Sequence, residues 1–294
     1  MTMIPYFHVD VFTKKPFTGN SLAVFHEDTG LDASQMLAVT QEVRHFESIF
    51  LAPTSEKHTI EARVFDLFEE LGFAGHPLLG AGAVLHHVDG SESEQVWTFN
   101  LPSKTVTVTS RQAGQSYCCV LDQGKPEFLG EISAQDVDMV CQSLNLTKAD
   151  LADGLPLEVV STGLKYLIVP VKDVLAKARI ISNDFDELLA SFGAQFAYVL
   201  DVAALEGRHW NNDGIQEDVA TGSAAGTVGA YLAKHGQCPM NEEFILHQGG
   251  YVGRPSEIRV RPVGSEAEIE NIQVGGDVAL VAAGSLLAAP RGDE

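Results

Sequence analysis

An internal repeat constrains the fold of this chain more than any other feature of its sequence. From Ala74 the chain reads AGHPLLGAGAVL, and from Thr221 it reads TGSAAGTVGAYL. Gly75 and Gly222 occupy the same place in the two copies, and the Gly-Ala pair further along each copy matches as well. A match of this length indicates a duplicated structural unit. The sequence therefore predicts two similar lobes, each with a buried, small-residue helix wrapped by a sheet.

The repeat extends upstream of both helices. An Arg-x-aromatic triplet begins at Arg63 in the first half and at Arg208 in the second, and an acidic residue follows each, Glu70 or Glu217. Acids that a repeat pairs in this way are more often structural than catalytic. We therefore expect Glu70 and Glu217 to make equivalent structural bonds.

The length and the repeat together predict how the chain divides. With 294 residues, 45% of them hydrophobic, each half has enough material for its own core. The polar segment 122–127 is the best candidate for a junction. We predict a first lobe at 1–124, joined by the last strand near 281–294, and a second lobe at 125–280. Several closing strands are predicted around 272–287.

Local patterns predict individual helices. Apolar residues at helical spacing predict a helix over 32–43, with Asp32 or Ser34 as its N-cap. A second helix is predicted over 133–144, with Ser133 as its cap.

The composition excludes several classes of function. Lysine and arginine number 19 against 40 acidic residues, for a net charge of −21, which disfavours nucleic acid and anionic membranes as partners. The cysteines and histidines lack metal-ligand spacing, and no nucleotide-binding glycine motif is present. No signal-like start or membrane-length apolar run occurs. We therefore expect a cytoplasmic protein with no cofactor and no metal.

Glu47 is the first candidate for chemistry. Strand alternation places it on the same side as Ile49 and Leu51. Loss of hydration on an apolar face raises the pKa of a carboxyl group toward neutrality, which suits a group that both takes and returns a proton. An ion pair with Arg44 or Arg63, or an exposed edge position, is the structural alternative.

The two helix starts are candidate binding sites for an anion. Each has unpaired N–H groups and the positive end of a helix dipole, and a cleft between lobes is a usual place for a ligand. A small carboxylate held there would have its developing enolate charge stabilised. Thr221 and Ser223 add hydroxyls, His76 a titratable donor and Asp218 an orienting carboxylate. A histidine bonded to backbone and an aspartate that simply caps a helix are the alternatives.

Several motifs, in this order, give the chain a family resemblance. They are DVFT at 10–13 with GN at 19–20, FES at 46–48, FAGHP at 73–77, STG at 161–163, EDVATGSA at 217–224, and QG at 248–249 with GRPS at 253–256. Together they cover about the whole chain and resemble the phenazine-biosynthesis PhzF-like isomerases.

The resemblance implies an α+β fold of the diaminopimelate epimerase type. Two pseudo-symmetric lobes would each wrap a mixed sheet or barrel around a central helix, with the substrate in the cleft. It also implies that Glu47 is the acid/base, that no cofactor is needed, and it allows a homodimer. The predicted catalytic residues are Glu47, His76 and Asp218, and the predicted binding residues are Gly75, Thr221, Gly222 and Ser223.

The chain also differs from its relatives near this site. Relatives of the same fold that racemise amino acids carry one cysteine at each helix start, where this chain has Ala74 and Thr221, so a two-thiol epimerase is disfavoured. Asp66-Leu67 replaces the family's Thr-Pro, and Val219 replaces the proline after the acidic pair. The substrate can therefore differ from that of studied relatives.

The sequence predicts a cofactor-independent isomerase. A single glutamate would move a proton within a small cyclic or unsaturated carboxylate. Two alternatives stay open: a dehydratase or epimerase of a proline-like acid, dependent on Thr221 or Ser223, and a catalytically silent protein that binds a small anion.

Overall fold

The computed structural model describes residues 3–265 and 267–290, which form an α+β fold. They divide into two compact units. Unit 1 contains the chain up to Asp122 and again from Gly275, and unit 2 runs from Gln123 to Val274. Two segments of unit 1 therefore flank unit 2 in the sequence.

Both units contain more strands than helices. The strands are β1 Ile4–Val11, β2 Asn20–Phe25, β3 Glu47–Pro53, β4 Thr59–Asp66, β5 Glu70–Leu71, β6 Gln95–Asn100, β7 Thr105–Ala113, β8 Ser116–Asp122, β9 Glu127–Glu131, β10 Glu158–Ser161, β11 Lys165–Val171, β12 Phe196–Asp201, β13 Glu206–Arg208, β14 Phe244–Gln248, β15 Ser256–Ser265 and β16 Glu268–Leu286. The α-helices are α1 Ala33–Val43, α2 Gly75–Asp89, α3 Val137–Ser143, α4 Phe185–Ser191 and α5 Gly222–Lys234. Of the helices in the described ranges, none combines the length and the apolar character that crossing a bilayer requires.

In unit 1 the strands close into a barrel. Their order is β1-β2-β3-β4-β6-β7-β8, and β16 neighbours both β8 and β1. β16 runs antiparallel to β1, with Ile4 opposite Leu286 and Val11 opposite Val278. The short strand β5 pairs with β4 off this path. The eight strands that remain therefore surround a central space.

The helix α2 fills that space. It packs against β1, β2, β3, β6, β7 and β8, and 11 of its 15 residues are buried. Two of its glycines permit this close approach: a Cβ at Gly82 would lie 2.8 Å from Cγ1 of Val108, and one at Gly80 would collide with Leu22. The expectation of a small-residue helix wrapped by a sheet is confirmed.

Unit 2 repeats this architecture. Its strand order is β9-β10-β11-β12-β13-β14-β15-β16, and α5 packs against β10, β11 and β15. Gly229 on α5 faces Val260 on β15, in the way that Gly82 faces Val108 in unit 1. Each copy of the repeat inferred from the sequence therefore forms a sheet with a helix packed against it.

A second apolar layer lies outside each sheet. In unit 1, α1 packs on β3 and β4, where Phe50 and Phe65 are buried. Its start is a capping box, because the Asp32 carboxylate accepts from the Gln35 N–H while the Gln35 side chain accepts from the Asp32 N–H. In unit 2, the apolar layer includes residues of α3 and α4. The predicted helix over 32–43 and its Asp32 cap are confirmed.

Two local predictions are wrong. The helix predicted from Ser133 begins later, at Val137, because residues 133–136 form a turn in which the Ser133 carbonyl accepts from the N–H groups of Asp136 and Val137. The Ser133 hydroxyl donates to the Asp136 carboxylate instead of capping the helix. The closing strands expected around 272–287 are one continuous strand, β16.

Candidate functional site

An arginine–glutamate pair supports each helix start. Arg63 Nε and Nη2 donate to the two carboxylate oxygens of Glu70 at 2.8 and 2.6 Å. Arg208 makes the same fork to Glu217 at 2.9 and 2.6 Å. The backbone pairing is also equivalent, since Phe65 lies opposite Glu70 and Trp210 opposite Glu217. The expectation of equivalent structural bonds is confirmed, and each fork holds the hairpin that leads into its helix.

In unit 1, Glu47 and His76 lie together. Glu47 begins β3 and is 8% exposed, and His76 is the second residue of α2 and is 5% exposed. The Nδ1 atom of His76 is 3.5 Å from Oε2 of Glu47. The ion pair that Arg63 makes through Nε and Nη2 is with Glu70. The barrel thus presents a buried carboxyl group and an imidazole at one helix start.

The burial of Glu47 has a different origin from the one expected. Alternation predicted one apolar face with Ile49 and Leu51, yet Ser48 and Phe50 on the other face are buried as well. β3 lies between β2 and β4, with α2 packed against it and α1 outside it. Glu47 is therefore shielded from solvent because its strand is covered on both faces.

The first turn of α2 has no side-chain cap. Its N-cap is Ala74, which is extended at φ −148° and ψ 133° and has no polar side chain. The first turn then runs through Gly75 and His76, with Pro77 at a position where a helix tolerates the loss of an N–H. N–H groups of such a first turn have no partner within their own helix and can bind an anion.

In unit 2, Asp218 and Thr221 lie together at the start of α5. Thr221 is the N-cap, but its hydroxyl donates to Asp218 Oδ2 at 2.6 Å and makes no cap bond. Both residues are about 7% exposed. Neither N-cap, Ala74 or Thr221, is a thiol. The start of α5 is therefore arranged around a hydroxyl–carboxylate pair.

Gln248, at the end of β14, binds this pair. Its Nε2 donates to the Asp218 carbonyl and to Thr221 Oγ1, both at 3.0 Å. Its Oε1 accepts from the Thr221 N–H and from the Tyr198 hydroxyl, both at 3.1 Å. Burial raises the pKa of Tyr198 well above its usual value, so the phenol keeps its proton and acts as a donor. In the sequence, Gln248 is visible only as part of the motif QG at 248–249, and no local pattern identifies Tyr198.

Ser223 and Gly222 bind other partners in unit 2. The Ser223 hydroxyl is 2.8 Å from the hydroxyl of Tyr166, which is 1% exposed. The Gly222 carbonyl accepts from Gln123 Nε2 at 2.9 Å, and Thr162 donates to Oε1 of the same amide. Gln123 lies within the segment 122–127 that was predicted to be a junction. A buried tyrosine usually finds a partner for its hydroxyl, and this is the signal that could have identified Tyr166.

A neutral histidine lies beside this second helix start. His209 is packed against the rings of Tyr166 and Phe196 at 5.5 Å, and its Nδ1 is 3.0 Å from the Ala197 carbonyl. Burial lowers the pKa of His209, so its ring stays uncharged. Within residues 3–265 and 267–290, no three His, Cys, Asp or Glu side chains are grouped to hold a metal ion.

Comparisons with known proteins agree with this architecture along nearly the whole chain. The family model PhzC-PhzF, described as phenazine biosynthesis-like protein, matches residues 9–284. Trans-2,3-dihydro-3-hydroxyanthranilate isomerase of Pseudomonas aeruginosa is 29% identical over 293 residues, covering 95% of this chain and 98% of that protein. The structure of a predicted epimerase from Pseudomonas aeruginosa superposes with a TM-score of 0.91 at 46% identity, covering 97% and 99% of the two chains.

A more distant structure shares the fold alone. A hydroxyproline epimerase from Agrobacterium vitis superposes with a TM-score of 0.62 at 11% identity, covering 98% of this chain and 92% of that one. Curated relatives that match this chain over nearly its full length are named as isomerases. The chain belongs to the phenazine biosynthesis-like PhzC-PhzF family and is an enzyme of the isomerase class.

Proposed function

We propose that this isomerase moves a proton within a small cyclic or unsaturated carboxylate and uses Glu47 as its single acid/base, without a cofactor. The observation that carries the proposal is the Glu47 carboxyl group, which is 8% exposed and 3.5 Å from His76 beside the uncapped start of α2. A carboxyl group so little hydrated can take a proton from one carbon and deliver a proton to another.

The proposed reaction conserves atoms and electrons within one molecule. Glu47 accepts a proton from one carbon, and the electron pair of that C–H bond enters the neighbouring double bond system. The protonated Glu47 exchanges its proton with solvent and then delivers one proton to another carbon of that system, and the double bond has moved. No electron acceptor is needed, and His76 orients the carboxyl group between the two transfers.

The charge that develops during this transfer needs donors. In an enolate-like intermediate, negative charge spreads to the substrate carboxylate, where backbone N–H groups at a helix start stabilise it. Gly75 opens α2 and Gly222 opens α5. We propose Gly75, Gly222, Thr221, Ser223 and Asp218 as residues that bind polar groups of the substrate.

The proposed substrate class follows from a relative. The Pseudomonas aeruginosa protein is named for trans-2,3-dihydro-3-hydroxyanthranilate, a small ring carboxylate. We propose a substrate of this kind. Asp66-Leu67 and Val219 differ from the family pattern beside the candidate residues, which supports a related compound with different ring substituents.

Solvent exchange tests the proposal directly. The protein is incubated with trans-2,3-dihydro-3-hydroxyanthranilate and related ring carboxylates in deuterated water, and NMR follows deuterium at carbon and movement of the double bond. Glu47→Gln should lower the rate by at least about a thousandfold, because the variant has lost the group that carries the proton. Glu42→Gln, on the exposed face of α1, is the matched control and should leave the rate unchanged.

Three results would contradict the proposal. Exchange that survives Glu47→Gln in a folded variant would remove Glu47 from its role. Inversion or loss of water from proline-like acids, dependent on Thr221 or Ser223, would favour an epimerase or dehydratase. Binding of ring carboxylates with neither exchange nor movement of the double bond at any pH would indicate a silent anion-binding protein.

A further inference from the structure

The amide of Gln248 is buried and makes four hydrogen bonds. It is 1% exposed, and its partners are Thr221 N–H and Tyr198 hydroxyl at Oε1, and Asp218 carbonyl and Thr221 Oγ1 at Nε2. A glutamine side chain has two donor hydrogens and two acceptor lone pairs. Every one of these is used, all within unit 2.

The partners determine which way this amide points. A backbone N–H can only donate, so the atom facing Thr221 N is the oxygen. A backbone carbonyl can only accept, so the atom facing the Asp218 carbonyl is the nitrogen. The two ends of the amide lead independently to the same orientation.

This orientation also fixes the direction of the Thr221 hydroxyl. Because Gln248 Nε2 donates to Thr221 Oγ1, that oxygen is an acceptor on this side. Its own hydrogen is then directed to Asp218 Oδ2, at 2.6 Å. The result is a one-way chain of donors from the Gln248 amide, through the Thr221 hydroxyl, to the Asp218 carboxylate.

We infer that Gln248 is a positioning residue for the reaction: by fixing the Thr221 hydroxyl, it sets the orientation in which Asp218 meets the substrate. The inference rests on the proposed function, because it takes Asp218 and Thr221 as substrate-binding residues. Gln248 itself acts through its neighbours.

The variant Gln248→Glu tests this role with almost no change of shape. At pH 8 an ionised carboxylate would have no hydrogen for Thr221, so the Thr221 hydroxyl would turn toward residue 248 and away from Asp218. We expect the exchange rate with trans-2,3-dihydro-3-hydroxyanthranilate to fall about 100-fold, as for other small misplacements of reacting groups. At pH 5.5 a protonated Glu side chain can donate to Thr221 again. The rate relative to the unchanged protein should then recover by about tenfold, since burial favours the neutral form of such a carboxyl group.

Two further variants separate positioning from folding. Tyr198→Phe removes one bond to Oε1 and leaves the donor chain to Asp218 intact, so the rate should stay within about threefold at both pH values. Thr221→Val removes the middle of the chain and should lose as much as Gln248→Glu, without recovery at pH 5.5. The double variant Gln248→Glu with Thr221→Val should be no slower than Thr221→Val alone, because both changes break the same chain.

Urea unfolding of the same variants supplies a readout that needs no substrate. Recovery of the midpoint of Gln248→Glu at pH 5.5, with no recovery of the rate, would reduce Gln248 to a structural residue and overturn the inference. Losses that multiply in the double variant, or a Tyr198→Phe loss as large as that of Gln248→Glu, would overturn it too. If the unchanged protein shows no exchange with any ring carboxylate, the proposed function fails, and with it the role of Gln248. The midpoint then reports separately whether the bonding pattern is right.

Discussion

The two arginine–glutamate forks allow one interaction to be measured twice in one chain, at two depths of burial. The Arg208 and Glu217 side chains are 11% and 9% exposed, whereas the Arg63 and Glu70 side chains are 36% and 28% exposed. The forks have nearly the same bond lengths. We therefore predict that Glu217→Gln destabilises the protein far more than Glu70→Gln.

The magnitude follows from desolvation. Removing one partner of a buried ion pair leaves the other charge uncompensated and typically costs about 3–5 kcal/mol. In Glu217→Gln the Arg208 guanidinium would keep its bonds to the carbonyls of Leu175 and Ala178, so we expect the lower end, about 3 kcal/mol. Exposed pairs contribute roughly 0.2–1 kcal/mol, so Glu70→Gln should cost at most about 1 kcal/mol.

Urea unfolding measures the difference. With a slope of about 2 kcal/mol per molar, the expected midpoint shifts are roughly 1.5 M for Glu217→Gln and 0.5 M or less for Glu70→Gln. The sequence has two tryptophans, Trp97 in unit 1 and Trp210 in unit 2. Trp97 reports on unit 1 for Glu70→Gln, and Trp210, whose ring lies 4.6 Å from the Arg208 guanidinium carbon, reports on unit 2 for Glu217→Gln.

Salt supplies the control for this reasoning. Added sodium chloride should reduce the small effect of Glu70→Gln and leave the large effect of Glu217→Gln nearly unchanged, since buried charges are screened much less. Equal midpoint shifts for the two variants, or equal sensitivity to salt, would refute the argument from burial.

Two further predictions concern unit 2. Burial lowers the pKa of His209, so the unfolded chain binds a proton below about pH 6.5 that the folded chain does not, and stability is lost as the pH falls through that value. His209→Gln should therefore lose less stability between pH 7.5 and pH 5 than the unchanged protein, as measured by urea midpoints; an equal loss would contradict the cause. A Cβ at Gly226 would collide with the Gln123 amide and lie 2.9 Å from Thr162 Oγ1, so Gly226→Ala should cost about 1–3 kcal/mol in the same assay, whereas Gly236→Ala, where nothing lies within 4 Å, should show only the strain of its positive φ.

The sequence predicts well those parts of the molecule that occur in both copies of the repeat. The fork between Arg63 and Glu70 is predictable because the same residue types recur at Arg208 and Glu217. The buried helices are predictable because glycine lowers helix propensity. A helix rich in glycine and alanine is therefore best explained by close packing against its neighbours.

The parts that it predicts poorly depend on contacts between distant positions. The bond between Tyr166 and Ser223 spans 57 positions, and the bonds between Gln248 and Thr221 span 27. No local periodicity reports such a contact. Glu47 was expected to be buried because of alternation, but its burial comes from the elements on both sides of β3, which is a tertiary effect. Its catalytic role, like those of His76 and Asp218, stays a prediction.

The position of β16 in the sequence affects how the chain folds during its synthesis. Translation delivers unit 2 as one continuous segment, but the strand that pairs with β1 emerges after it, as the chain beyond Gly275. Until then β1 has an open edge, and open edges can pair with other chains. On the ribosome unit 2 can finish folding first, whereas the barrel that carries Glu47 cannot close until the last part of β16 has emerged. In a nascent chain arrested before Gly275, unit 2 with the start of α5 would therefore be complete, whereas the barrel of unit 1 would still lack the strand segment that closes it.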